Sequence, residues 1–236
     1  MTETNYELSE LQAVDFALGA HLAKAFQGLS KNVGPKQYRE FLTREPNKQI
    51  YRHEYESPRE LLEAVGSAKK TATTKDGIKS NLPDLPLVVY YRSPGMVSDS
   101  AASVFPEMKL WNEAETDAYN LTIVPLTLAY NLTFLAWDKP TLDKLQLAWL
   151  FFISKIRKGN ERFTMPYRIG EDVFDVPARI TGSRSWNFAN IATDKAAGRL
   201  FAVNTPLEVV TQVIMGEGAV WADPVVVDFQ LKEILP

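Results

Sequence analysis

The sequence predicts an α+β fold: a mainly antiparallel β-sheet packed by a few helices, with long loops serving as inter-subunit arms. Three observations carry that prediction. Between Leu121 and Ala136, the residues Val124, Leu126, Leu128, Tyr130, Leu132, Phe134 and Ala136 fall on one side, while Thr127, Asn131 and Thr133 fall on the other. Period-two patterning of that length marks a strand with one buried face. Directly after it, Trp137-Asp138-Lys139-Pro140 turns the chain into a helix that is apolar almost all the way round. Beyond Gly159 the pattern is strand after strand, without the strict strand–helix alternation of a doubly wound parallel sheet.

Taken in order, the chain opens with a helix over Leu8 to Leu29. Leu11, Val14, Leu18, Leu22, Phe26 and Leu29 recur at three- and four-residue spacing, and Gly34-Pro35 stops the run. Lys36 to Thr43 reads as a second, short helix before Pro46. Gln49 to Glu56 alternates as a strand with Tyr51, His53 and Tyr55 on one face, and Ser57-Pro58-Arg59-Glu60 then has the cap chemistry of a helix start. Residues 71–85 are polar, with Gly and Pro, and read as a surface loop. Pro86 to Arg92 reads as a buried strand, and Ser93-Pro94-Gly95 as the start of a long connection over 93–118. Loops of this length in a domain usually carry function, and 71–85 and 93–118 are the expected arms.

In the apolar helix, Asp138 is the expected N-cap and Pro140 sits in the first turn, where its missing N–H is harmless. Leu142, Leu145, Trp149, Phe152, Ile153 and Ile156 form one stripe, and Leu147, Leu150 and Phe151 widen it. A helix apolar on more than one side must be covered on more than one side, and a partner subunit is expected to supply part of the cover. Lys155, Arg157 and Lys158 close the helix and Gly159-Asn160 ends it. Phe163 to Ile169 and Phe174 to Ile180 then alternate about a turn at Gly170-Glu171-Asp172. Short strands are expected at Trp186–Ile191, Leu200–Val203, Leu207–Ile214 and Val225–Leu235, with Pro166, Pro177 and Pro206 marking edges, bulges or breaks. No linker or repeat divides the chain. A single domain over 1–236 is expected, with 1–45 as an amino-terminal helical extension.

Composition narrows the function. A chain of 236 residues is long enough to bury a sizeable core. The net charge of −3 gives no electrostatic basis for wrapping DNA, which needs an excess of Lys and Arg. The absence of cysteine removes disulfides, thiolate catalysis and cysteine metal sites together. The amino terminus is polar and acidic, unlike a signal peptide, and the longest apolar run, Leu147 to Ile153, is shorter than the roughly 20 residues of a membrane helix. A soluble chain with no membrane partner is expected.

Motifs for chemistry are weak. The two histidines, His21 and His53, lie on a helix and a strand without metal-ligand spacing, and each reads as a core or interface residue. Gly216-Glu217-Gly218-Ala219 lacks the lysine of a phosphate loop, and Thr181-Gly182-Ser183-Arg184-Ser185 has no histidine to activate a serine. No catalytic residue and no cofactor is expected. The acidic groups Glu113, Glu115, Asp117 and Glu171, Asp172, Asp175 read as a solvated loop and turn, with cation binding or a carboxylate pair as the alternative. The basic set Lys155, Arg157, Lys158, Arg162 and Arg168 reads as helix capping and solubility, or as a patch facing DNA or an acidic neighbour. Tyr90, Tyr91, Arg92, Met96 and Trp111 fall at strand ends or in connections and are residue types enriched at protein interfaces. With Leu147, Leu150 and Phe151 they form the expected subunit interface.

One resemblance adds to this reading. Leu87 to Met96 (LVVYYRSPGM), followed by Val124 to Trp149 (VPLTLAYNLTFLAWDKPTLDKLQLAW), resembles tail-completion and tail-sheath-stabilising proteins of contractile-tailed bacteriophages. The order of hydrophobic strand, long alternating strand, capped helix and strand set matches over roughly residues 49–235. The resemblance implies a structural virion protein without catalytic activity, assembled in the host cytoplasm. It would form a homo-oligomeric ring, commonly a hexamer, that caps the tail tube and sheath and docks on the neck or head connector. DNA would be passing cargo only. The amino-terminal helix departs from the family pattern. Three other readings stay open: a collar or baseplate ring, a hydrolase using the acidic clusters, and a DNA-binding module using the basic set.

Overall fold

The computed structural model describes residues 10–55, 60, 85–98, 107–111, 118–155, 159–169, 172–181, 187–191 and 200–217. Among the described residues, three α-helices of bounded extent, α1 (Glu10–Lys24), α2 (Lys36–Thr43) and α3 (Lys139–Ile153), pack on strands β1 (Ile50–Arg52), β2 (Leu87–Ser98), β3 (Glu107–Trp111), β4 (Ala118–Ala136), β5 (Arg162–Ile169), β6 (Asp172–Thr181), β7 (Ala189–Asn190) and β8 (Phe201–Glu217). The eight strands form one sheet in the order β1-β2-β4-β8-β6-β5, with β3 added to β4 and β7 added to β8. Among the described residues only the short β1–β2 pair is parallel. The fold is α+β, as the residue pattern predicts.

The sheet is organised on two long strands. β4 and β8 pair without interruption from Ala136↔Phe201 to Asn120↔Glu217. The expected alternation holds along β4: Leu126, Leu128, Tyr130, Leu132, Phe134 and Ala136 are all buried on the helix-covered face. Across the sheet, Leu87, Val89, Leu135 and Ala202 form a second, smaller cluster with Tyr55, Leu85 and Leu200. Leu87 pairs with Leu135, which pairs with Ala202, so three neighbouring strands offer one apolar row to that cluster.

Prolines mark places where a strand changes partners. Pro125 lies between the stretch of β4 paired by β3, Ala118 to Thr122, and the stretch paired by β2, Leu126 to Leu135. Pro206 lies between the part of β8 paired by β7, at Val203 and Asn204, and the part paired by β6, from Glu208 to Val210. A missing N–H on those edges breaks no ladder bond. The expected division at Pro206 into two strands is therefore corrected: β8 runs through it.

The expected loop at 93–118 is also corrected. β2 continues to Ser98, and Ser93-Pro94-Gly95 is a bulge within it: Arg92 pairs with Tyr130 and Met96 with Leu128, so extra residues are accommodated between them. Gly95 has φ +112, a conformation that side chains disfavour. Residues 107–111 form β3 on the same edge of β4. Of the other expected arm, 71–85, only Leu85 is described, and it is buried; the expected strand at 225–235 lies outside the described residues, as does most of the helix expected after Ser57.

The amino-terminal helices are not an appendage. Val14, Leu18, Leu22 and Phe26, with Tyr38, Phe41 and Leu42, lie in the main core with α3 and the sheet. The sheet curls, and α1 touches both of its ends, β5 on one side and β1 and β2 on the other. The helix thus fills the gap between the sheet's edges. At the end of α2, Arg44 donates to the carbonyls of Pro86 (2.9 Å) and Leu85 (3.1 Å), which ties the helix to the start of β2.

Candidate functional site

Helix α3 starts as the sequence predicts. The Asp138 carboxylate accepts from the Thr141 N–H at 2.7 Å and from the Thr141 hydroxyl at 2.9 Å. Leu142, Leu145, Ala148, Trp149 and Ile153 then face the core. The widened part of the stripe does not: Leu147 is 42% exposed and Phe151 66% exposed, while Leu150 is half-buried. Four residues apart, Leu147 and Phe151 are neighbours on the helix surface. Lys144, one turn earlier, lies beside Gly34, where a Cβ would sit 3.9 Å from the Lys144 Cγ. The residue before Gly34, Val33, is 57% exposed. Leu147 and Phe151 thus form a small apolar surface on α3 at its corner with α2, with exposed Asp143 and Lys144 one turn earlier and exposed Val33 in the turn that leads into α2.

The other expected interface residues separate. Tyr90 is corrected: it is fully enclosed (0% exposed) and donates its hydroxyl to the Asp15 backbone carbonyl at 2.9 Å, so it offers nothing to a partner. Its parity on β2 points it into the main core. Tyr91 points the other way, is half-buried, and packs edge-on against Tyr55 with ring centroids 5.5 Å apart. Arg92 turns inward to Asp15. Met96 follows the bulge on β2 and Trp111 ends β3; both are placed by their backbones.

Three members of the basic set, Lys155, Arg162 and Arg168, lie among the described residues. Lys155 is exposed just past α3, and Arg162 opens β5 beside Glu161 at 3.6 Å. Arg168 lies at the far end of β5, about 20 Å away at strand rise. Arg157 and Lys158 lie outside the described residues. Of the acidic groups, Asp172 opens β6 and Asp175 is exposed on it, while Glu113, Glu115, Asp117 and Glu171 lie outside the described residues.

Two buried polar residues on α1 carry the main electrostatic features. Asp15 is fully buried. Its carboxylate accepts from Tyr130 at 2.6 Å and from Arg92 Nε at 3.2 Å, and pairs with an Arg52 terminal nitrogen at 2.8 Å. Burial pushes the carboxyl above its usual range, against the opposing pull of Tyr130, Arg52 and Arg92. The Tyr90 and Tyr130 phenols are raised as well, by burial first and by Asp15 next. His21 sits a turn and a half further on. Its Nε2 donates to the Asn160 carbonyl at 2.7 Å, and its ring stacks on Phe163 at 5.1 Å and meets Phe152 edge-on at 5.3 Å. Burial lowers its affinity for a proton, with Lys24 adding to the effect and the Asn160 carbonyl and Glu161 opposing it.

Asp15 did not stand out in the sequence, although a signal was there. It lies four residues after Leu11 and three before Leu18, so it shares the apolar stripe of its helix. An acid in that stripe needs a buried partner. What it builds is a fastening of helix to sheet. Among the described residues, no three His, Asp or Glu side chains are grouped to hold a metal ion, and no helix is long and apolar enough to cross a membrane.

No protein-family model matches this chain, and no curated protein does. The functional reading therefore rests on its own surfaces: the apolar corner of α2 and α3, and the ribbon formed by β3, β4 and the far half of β8.

Proposed function

We propose that this chain is a structural protein of a phage virion, forming a ring at the head-proximal end of the tail. There it completes the tail tube and sheath and meets the neck or connector. The observation that carries the reading is the exposure of Leu147 and Phe151 on a helix whose opposite face is embedded in the core. Burying a large apolar side chain is worth roughly 1.5–3 kcal/mol, and neighbouring apolar residues left in water mark an interaction surface.

Ring formation needs two different faces on each subunit, because a contact that repeats around an axis is heterologous. The two edges of the β3–β4–β8 ribbon are such a pair, and the α2–α3 corner is left to meet an adjoining part of the tail. The resemblance of Leu87–Met96 and Val124–Trp149 to tail-completion proteins supports the place in the tail.

The test is localisation. The expected outcome is that peptides of this chain are found in purified particles and that its density forms a ring at the head–tail junction. A chain absent from particles, and monomeric with or without added tails, overturns the proposal.

A further inference from the structure

We propose that neighbouring copies of this chain join by strand addition, with the open edge of β8 from Gln212 to Glu217 pairing with the open edge of β3 in the next copy. The inference rests on the ring reading above and names its contact.

The two edges belong to one ribbon. Val210 is the last residue of β8 in register with β6, and buried Thr211 still donates its hydroxyl to the β6 carbonyl of Pro177 at 3.4 Å; from Gln212 to Glu217 the strand partner of β8 among the described residues is β4 alone. On the other side of β4, β3 covers Ala118 to Thr122, and the outer edge of β3 has no partner among the described residues. Among the described residues the result is a stretch of three strands, β3-β4-β8, open on both sides. The openings stand at the same level: Glu107, Thr122 and Met215 form one row, and Lys109, Asn120 and Glu217 another. At strand rise the β3 edge is about 17 Å long and the β8 edge about 20 Å.

An open edge presents a row of N–H and C=O groups and is a template for another strand. The partner is argued from direction. β3 and β8 both run antiparallel to β4, so they run parallel to each other. Rotation about an axis along the ribbon brings the β8 edge of one copy to the β3 edge of the next with the strands still parallel. The edges are different, so the contact is heterologous and repeats from copy to copy until it closes. Backbone hydrogen bonds supply such a contact whatever the side chains. Pairing of β8 with β8 would be two-fold and would stop at a dimer.

The absence of cysteine makes the test direct. Lys109→Cys is combined, in the full chain, with a cysteine at each position from Gln212 to Glu217 in turn. Within one copy β3 and β8 flank β4, about 9.5 Å apart, beyond the roughly 7 Å that a disulfide spans. Any bond formed is therefore between copies. The expected result is a ladder of covalent trimers and larger species on oxidation for at least one pair, and none from the single-cysteine chains. Oligomers by light scattering with no ladder from any pair overturn the strand pairing but leave the ring reading intact. Dimers from a single β8 cysteine mean the two-fold contact and also overturn it. A chain that stays monomeric at high concentration and never cross-links overturns both. Hydrogen exchange on the unsubstituted chain reads the same contact without a mutation. Amides over 107–111 and 212–217 should gain protection as the chain oligomerises, and unchanged exchange there overturns the pairing.

Discussion

Tyr130, near the middle of β4, gives its phenolic hydrogen to the carboxylate of Asp15 on α1 across 2.6 Å, joining residues 115 positions apart in the chain. The same carboxylate holds Arg92 on β2 and Arg52 on β1. One acid thus ties α1 to three strands of the sheet. Taking a charge out of water costs several kcal/mol, and the cost is offset only if the partners stay in place. Tyr130→Phe is expected to lower unfolding free energy by about 1.5–3 kcal/mol, the usual worth of a hydrogen bond to a charged group. Asp15→Ala is expected to cost about 3 kcal/mol or more, since it removes the carboxylate that two guanidinium groups and a phenol share. Urea denaturation of both variants measures this. A loss below about 0.5 kcal/mol, the level of an ordinary surface change, would remove Asp15 from the role given to it.

His21 gives stability a pH dependence. Its folded-state proton affinity is depressed by burial, so between its folded pKa and 6.5 the unfolded chain binds more protons than the folded one. The contribution is therefore fully present above pH 6.5 and is lost as pH falls through the folded value. His21→Gln keeps a donor for the Asn160 carbonyl but does not titrate. The difference in melting temperature between parent and variant should shift in the variant's favour on going from pH 7.5 to 5. A difference that stays constant over that range contradicts the assignment.

Asp138 sets where α3 begins. It satisfies the Thr141 N–H and hydroxyl together, and Asp138→Ala should cost about 1 kcal/mol. Asp138→Ser should recover most of the loss, because a serine oxygen can cap the same N–H. Equal losses for Ala and Ser in chemical denaturation would mean that the charge, and not the cap, is what matters.

The two sides of α3 should answer oppositely to substitution. Trp149 is fully buried, and Trp149→Ala is expected to cost about 3–5 kcal/mol. Leu147→Asp and Phe151→Asp lie on the exposed side and should change stability by only about 0.5 kcal/mol. Their effect is expected in assembly: weaker binding to tails, read by analytical ultracentrifugation. Variants that assemble like the parent would leave the α2–α3 corner without a role.

Several elements were legible in the sequence because they are local. The alternation from Leu126 to Ala136 reports one buried face whatever lies against it, and β5 and β6 carry the same signal. The α2 boundaries and the Asp138 cap follow from backbone groups satisfied within a few residues. The surplus apolar residues of α3 showed that one stripe could not account for them all, and Leu147 and Phe151 are indeed left outside.

What tertiary structure alone decided is which element covers which. Pattern fixes neither the parity nor the partner of a strand. Tyr90 and Tyr91 are the same residue type in adjacent positions, yet one is enclosed in the main core and the other lies on the opposite face. Pro206 and Ser93-Pro94-Gly95 look like breaks until the neighbouring strands show where a lost N–H or an extra residue can be tolerated. The placing of α1 between the sheet's two ends, with Asp15 at one side and His21 at the other, depends on contacts between residues more than a hundred positions apart. Local residue order sets the shape of each piece. The enclosure of a buried charge and the opening of a strand edge appear only when distant pieces are brought together.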